Sequence, residues 1–175
     1  MMKKIFWVMS LTAALFAADN DLYDNALSLN VGYGSTAATA ATYSGATYGL
    51  QINRNLNISE GQWNIDALQF TLDYANLNTS RRDYAVRLGS NVMWYIENNT
   101  DWTPFVKTGL GVQVIAGTEA IDIGNFVYGT VGAGVELQLR GDTSLMTEFT
   151  DHYSASGENN MRLAAGLKYS FGQSY

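Results

Sequence analysis

From residue 27 to residue 171 the chain alternates apolar and polar side chains with a period of two. Leu27, Leu29, Val31 and Tyr33 oppose Ser28, Asn30 and Gly32, and Tyr48, Leu50 and Ile52 oppose Gly49, Gln51 and Asn53. Leu68, Phe70, Leu72 and Tyr74 oppose Gln69, Thr71 and Asp73; Tyr84, Val86, Leu88, Val92, Trp94 and Ile96 oppose Arg87, Gly89, Asn91 and Glu97. The same rhythm runs through Val106–Val114, Thr130–Leu139, Leu145–Thr150 and Arg162–Phe171. Successive side chains of a strand point to opposite faces, so each run predicts a strand with one apolar and one polar face. No segment carries a convincing apolar stripe of helical period or the ~18 apolar residues of a membrane-spanning helix. Eight strands are predicted.

The spacers between the runs predict how the strands connect. Ile58–Gln62, Asn98–Asp101 and Arg140–Asp142 read as tight turns after strands two, four and six, while Thr36–Ala46 and Gly117–Asn125 read as longer loops at the opposite end. Short turns at one end and long loops at the other are the pattern of an outer-membrane barrel. The polar face then has to be the inside. It carries Gly32, Gly49, Gly89, Gly109, Gly111, Gly132, Gly134 and Gly166, which make room in an eight-stranded interior just wide enough for side chains and would be odd choices for a solvated exterior. The predicted fold is all-β, an eight-stranded antiparallel up-and-down transmembrane β-barrel whose closure satisfies every backbone group.

Composition narrows the class further. The 175 residues include no Cys and one Pro, 13% are aromatic and 15% charged, and the formal net charge is −6. Disorder, a disulfide scaffold and a Cys-ligated metal site are excluded, and scattered basic residues on an acidic chain speak against nucleic acid as a partner. Lys3 and Lys4 precede an apolar run, Ile5–Ala17, that ends in small residues and is followed by Asp19, Asp21 and Asp24. This is the layout of a secretory signal peptide. Residues 1–17 are the expected leader and 18–175 the outer-membrane barrel domain; removing the leader leaves eight basic against sixteen acidic residues, a net of −8.

Two sets of residues follow from strand parity. Tyr33, Tyr48, Tyr74, Tyr84 and Tyr153 fall at the loop ends of their strands and Trp63, Trp94, Trp102, Tyr169 and Phe171 at the turn ends, the placement of aromatic girdles at membrane interfaces. Phe126 and Tyr128 do not fit that scheme, and a bulge is expected at the top of strand six. Facing inward are Asp73, Arg87, Glu97, Lys107, Glu136, Glu148, Arg162 and Lys168, four acids and four bases. Buried charges persist when paired, so a neutral lumen network is expected, with no metal and no cofactor. A hairpin centred near residue 80 sets Asp73 across from Arg87, and Glu148 is expected to reach Arg162 or Lys168 on the next strand.

With its leader, its Thr103–Gly111 segment (TPFVKTGLG) and its Leu163–Phe171 strand (LAAGLKYSF), the chain resembles the OmpA-like and OmpX-like family of small outer-membrane barrels. The resemblance covers the whole length after the leader and rests on architecture. It implies insertion by the barrel-assembly machinery, which in the family recognises a terminal aromatic residue; here Phe171 is followed by Gly-Gln-Ser-Tyr175. The peptidoglycan-binding domain of full-length OmpA is not expected, because the barrel accounts for the residues after the leader. The resemblance further implies contact with outer-membrane lipid and lipopolysaccharide, and a structural, adhesive or protective role through extracellular loops whose composition names no ligand. A low-conductance pore for small solutes is the alternative.

Three short strings offer other chemistry. His152-Tyr-Ser154 is similar to the His-x-Ser element of lipid A 3-O-deacylases, in which Ser is activated by His and oriented by Glu. Here Ala155 stands where that family has Asn, and Glu158 lies in a loop and not in the next strand. Both His152 and Ser154 carry lumen parity, so hydrolysis ranks third and no enzymatic activity is expected. Arg140-Gly-Asp142 falls in a periplasmic turn, where turn chemistry accounts for it. Gly61-Gln-Trp63 is a turn followed by a girdle residue.

Overall fold

The computed structural model describes residues 25–38, 41–56, 65–77, 84–96, 100–116, 127–140, 142–154, 157 and 159–172, without the side chains at 36–38, 41–43 and 140. The leader, Trp63, Glu97, Phe126, Ala155, Glu158 and Tyr175 lie outside these residues. The strands are β1 (Asn25–Ala38), β2 (Ala41–Asn55), β3 (Ala67–Asn76), β4 (Tyr84–Tyr95), β5 (Trp102–Ala116), β6 (Val127–Arg140), β7 (Thr143–Ser154) and β8 (Asn159–Phe171). Each pairs antiparallel with its sequence neighbours, and β8 pairs with β1 to close the barrel. The fold is therefore the one the alternation predicts.

Register sets the shape of the tube. Stepping across the ladders from Leu27 leads through Ile52, Phe70, Ser90, Leu110, Gly129, Tyr153 and Asn159 back to β1 at Ala37, ten positions above the start. A stagger of this size inclines the strands by about 40° to the barrel axis. Side chains then sort by parity. Leu29, Leu110, Leu163 and Leu167 are more than half exposed on the outside, whereas Arg87, Glu148 and Arg162 are each 2% exposed within. Apolar outside and charged inside is the reverse of a water-soluble barrel.

The aromatic residues sort to the two ends of the outer face. Tyr33, Tyr48, Tyr74 and Tyr153 are exposed toward one end, with Tyr74 stacked on Tyr84 at 5.7 Å and tilted against Tyr48 at 6.4 Å. Trp102, Tyr169 and Phe171 are exposed toward the other, and Trp94 is half-buried beside them. Phe171 is level with Asn25; from there to Tyr33 the strand rises roughly 26 Å, or about 20 Å along the axis once tilted.

Three expectations are corrected. The Thr36–Ala46 stretch is not an 11-residue loop, since β1 and β2 stay paired up to Ala38 opposite Ala41. The stretch reads as loop because it is rich in Ala and Thr and carries no large aliphatic side chain. An antiparallel ladder beyond the apolar belt needs only backbone partners, however, and Tyr33 adds a hydroxyl bond to Ser44 Oγ at 2.7 Å. Second, connection length does not distinguish the two ends. The longest connections are 56–66 at one end and 117–126 at the other, and residues 39–40 and 155–158 are short links at the end expected to carry long loops. Ladder bonds extend past the strand ends, as from Leu56 N to Asp66 O at 2.7 Å. Third, β6 carries no bulge at Tyr128: its one irregularity lies between Gln138 and Arg140, at the turn end. Tyr128 is in phase with Thr130 and faces the lumen, 1% exposed.

The inward glycines are the spaces those large side chains use. A Cβ at Gly111 or Gly89 would press on the Tyr128 ring or hydroxyl, one at Gly134 on the Phe105 ring, and one at Gly132 on the Lys107 stem. Gly129, facing outward, has nothing within 4 Å of that position. Gly111→Ala is accordingly expected to cost about 1–3 kcal/mol through overpacking, while Gly129→Ala stays within about 0.5 kcal/mol of the parent. Urea midpoints of the two refolded variants check this.

Candidate functional site in the barrel lumen

The lumen is stacked in layers because every second residue of all eight strands projects into a tube one side chain wide. At the Trp102/Tyr169 end, Lys168 on β8 donates to Glu136 on β6 at 2.7 Å and to the Tyr95 hydroxyl on β4 at 3.3 Å, its ammonium 5.4 Å from the Tyr95 ring centre. Above it lies an apolar layer of Ala67, Met93, Phe105 and Met146, with Tyr95 set edge-on to Phe105 at 6.0 Å.

The next layer is polar throughout. Glu148 on β7 accepts from Lys107 at 2.7 Å, from Gln51 at 2.8 Å and from Arg162 at 3.3 Å. Gln69 accepts from Lys107 at 2.9 Å and from Asn91 at 3.2 Å, and donates to Gln51 at 3.2 Å. Arg162 on β8 links this layer upward: its Nη1 lies 3.0 Å from Asp73 Oδ1, its Nε donates to Thr47 at 3.1 Å, and its Nη2 donates to Asn30. Five strands are tied together through this one guanidinium, namely β1, β2, β3, β7 and β8. Toward the Tyr33 end, Arg87, Gln113, Tyr128 and His152 follow, and Ala75, Leu77, Ala85 and Ile115 form a second apolar cluster.

Seven of the eight inward charges named from parity fall among the described residues, and all seven face the lumen: Asp73, Arg87, Lys107, Glu136, Glu148, Arg162 and Lys168. Glu97 lies outside them. The register sets Asp73 directly across from Arg87, yet the ion pair of Asp73 runs to Arg162, and the Arg87 Nε donates to Gln113 Oε1 at 3.0 Å. Hairpin pairing fixes only the neighbour along the wall. In a narrow tube a long side chain also reaches strands that are distant in sequence, as Lys107 and Glu148 do. Glu148 takes Arg162, one of its two expected partners, while Lys168 goes to Glu136.

Sequence reasoning left out the apolar and neutral filling. Met93, Phe105, Met146 and Tyr128 occupy inward positions by the same parity that places Arg87 and Lys107, so the phase of the alternation was a sufficient signal. His152 is 5% exposed in the lumen, with its ring edge-on to Tyr128 at 5.1 Å and its Nδ1 3.3 Å from the Asn160 carbonyl oxygen. Ser154 ends β7 opposite Tyr128.

No protein-family model matches the chain, and no characterised protein matches it in sequence. Solved structures do match. Neisserial surface protein A superposes with a TM-score of 0.69 at 12% identity, over 84% of this chain and 97% of that one. Ail, the attachment invasion locus protein of Yersinia pestis, gives 0.57 at 9% identity over 86% and 100%. The outer membrane enzyme PagL gives 0.50 at 15% identity over 82% and 98%. These neighbours are outer-membrane eight-stranded barrels, and they include both an enzyme and proteins of other kinds. At such identities the likeness is one of fold.

Proposed function

We propose that this chain is an integral outer-membrane protein of the OmpA-like and OmpX-like kind, exported by residues 1–17, with residues 18–175 forming the barrel, and that its role is structural or interactive. The observation that carries the reading is the inverted tube: an exposed apolar outer face bounded by aromatic residues, around a lumen closed by alternating ion-pair and apolar layers. The outer face supports contact with lipid and lipopolysaccharide, and insertion falls to the barrel-assembly machinery. β1 begins and β8 ends at the Trp102/Tyr169 end, so a chain inserting from the periplasm leaves that end there and presents the Tyr33/Tyr48 end outward. There the paired β1–β2 ribbon continues from Tyr33 opposite Ala46 to Ala38 opposite Ala41, roughly 16 Å of strand beyond the tyrosines. It is the element best placed to meet an extracellular surface.

Two other roles fare worse on the same geometry. Conduction would require water to cross the Met93–Phe105–Met146 layer, where the three side chains are at most 1% exposed. Hydrolysis of lipid A would require His152 to face acyl chains, whereas it is buried in the lumen against Tyr128. Refolded protein is expected to migrate differently before and after boiling and to produce no discrete current steps in planar bilayers. Identical migration would count against the membrane barrel; regular steps would replace the structural role with a pore.

A further inference from the structure

Among the described residues, the lumen above the Met93–Phe105–Met146 layer holds three cations, Arg87, Lys107 and Arg162, and two carboxylates, Asp73 and Glu148. Both carboxylates face Arg162, and Asp73 also lies across the ladder from Arg87. Asp73 is paired with Arg162 at 3.0 Å, and Glu148 with Lys107 at 2.7 Å and Arg162 at 3.3 Å. Among the described residues Arg87 is the lumen cation outside these ion pairs: its Nε donates to the neutral Gln113 Oε1 at 3.0 Å, and its Nη1 has no hydrogen-bond partner. Its residue is 2% exposed. A guanidinium this deep cannot shed its proton; Asp73, directly across the ladder, is its main electrostatic partner but is shared with Arg162, so three cations here face two carboxylates and a small anion would offset the excess.

The surroundings are those of an anion site. The Tyr128 hydroxyl lies one inward position along from Arg87, at Gly89, where the nearest groups to a Cβ would be Thr71 Oγ1 and the Tyr128 hydroxyl, each at 2.8 Å. Tyr128, Thr71 and Arg87 are all O–H or N–H donors. The His152 ring packs edge-on against Tyr128, and the other buried carboxylate at this end among the described residues, Asp151, has the outward parity of Tyr153. We infer that the upper lumen takes up a small inorganic anion of halide size, held by Arg87 Nη1 and the Tyr128 hydroxyl, as the missing counter-charge of the ion-pair network. The inference rests on the lumen geometry and does not depend on which role the outer loops play.

The test uses the refolded full barrel in detergent at constant ionic strength, with chloride or bromide exchanged for gluconate, which is too large for the site. The folding equilibrium constant, read from urea titrations, is expected to rise with halide concentration, approaching tenfold per decade at saturation. In Arg87→Gln that dependence disappears, and in Tyr128→Phe it weakens. Should Arg87→Gln not refold, the wild-type titration and crystals grown in bromide decide: an anomalous bromine peak is expected beside Arg87. A wild-type folding constant indifferent to halide, an Arg87→Gln variant that keeps the dependence, or bromide crystals with no such peak each overturn the inference and leave water as the lumen filling.

Discussion

Glu148→Ala is expected to destabilise the barrel by about 3–5 kcal/mol, because breaking a buried pair by removing one partner leaves its counter-charge stranded. Here two partners are stranded at once. Lys107 would keep only the Gln69 amide oxygen at 2.9 Å, and Arg162 would keep Asp73 and Asn30. The side chains involved are 1–2% exposed, so water cannot take over. Lys107→Met is expected to cost less, since it removes one cation and leaves Glu148 with Arg162 and Gln51. The double variant Lys107→Met/Glu148→Ala should then show coupling, its cost falling short of the sum of the single variants. Urea midpoints read from folded and unfolded gel bands measure all three, and a Glu148→Ala midpoint matching the parent would mean that the lumen carboxylate is solvated.

Phe105→Ala combined with Met146→Ala is the second large effect, and it bears on function as well as stability. Truncating a buried Phe costs about 3–5 kcal/mol and a buried Met about 2–5 kcal/mol, less whatever the site recovers by collapsing. Collapse is limited here because a closed ladder fixes the strands around the void. The layer these two residues share with Met93 and Ala67 separates the Lys168–Glu136 pair from the Glu148 network. Without it the two polar layers face each other across a wettable gap. Planar-bilayer recordings are expected to show discrete steps from the double variant and none from the parent. A folded double variant that stays silent would place the barrier elsewhere, with Ala75, Leu77, Ala85 and Ile115 as the next candidate.

Much of this molecule is legible in its sequence. Period two is enough to count the strands and to separate Leu29 and Leu163 from Arg87 and Arg162, because the alternation of a strand is a local property of its backbone. The inward glycines carried the further message that the polar face is the crowded one, and Gly111 beneath Tyr128 and Gly134 beneath Phe105 give that message its atoms. The Thr36–Ala46 stretch was misread because hydrophobicity marks where a strand is buried or meets lipid, and not where its ladder of backbone bonds ends. Tyr128 was misread for a related reason: an aromatic residue at a strand end was expected on the exterior, so its inward parity was put down to a bulge that the ladder does not contain.

What the sequence by itself determined is the set of residues that share the lumen and the order in which the strands meet. Both follow from short-range rules, the pleat within a strand and the antiparallel return of each hairpin, and the Asp73–Arg87 register is an instance. What only the tertiary structure decided is which of those residues touch. Closure with a ten-residue stagger brings Lys107 of β5 to Glu148 of β7 and Arg162 of β8 to Asp73 of β3, and stacks Met93, Phe105 and Met146 into one layer. Those contacts depend on the tilt and shear of the whole tube, a property of all eight ladders together that no single segment carries.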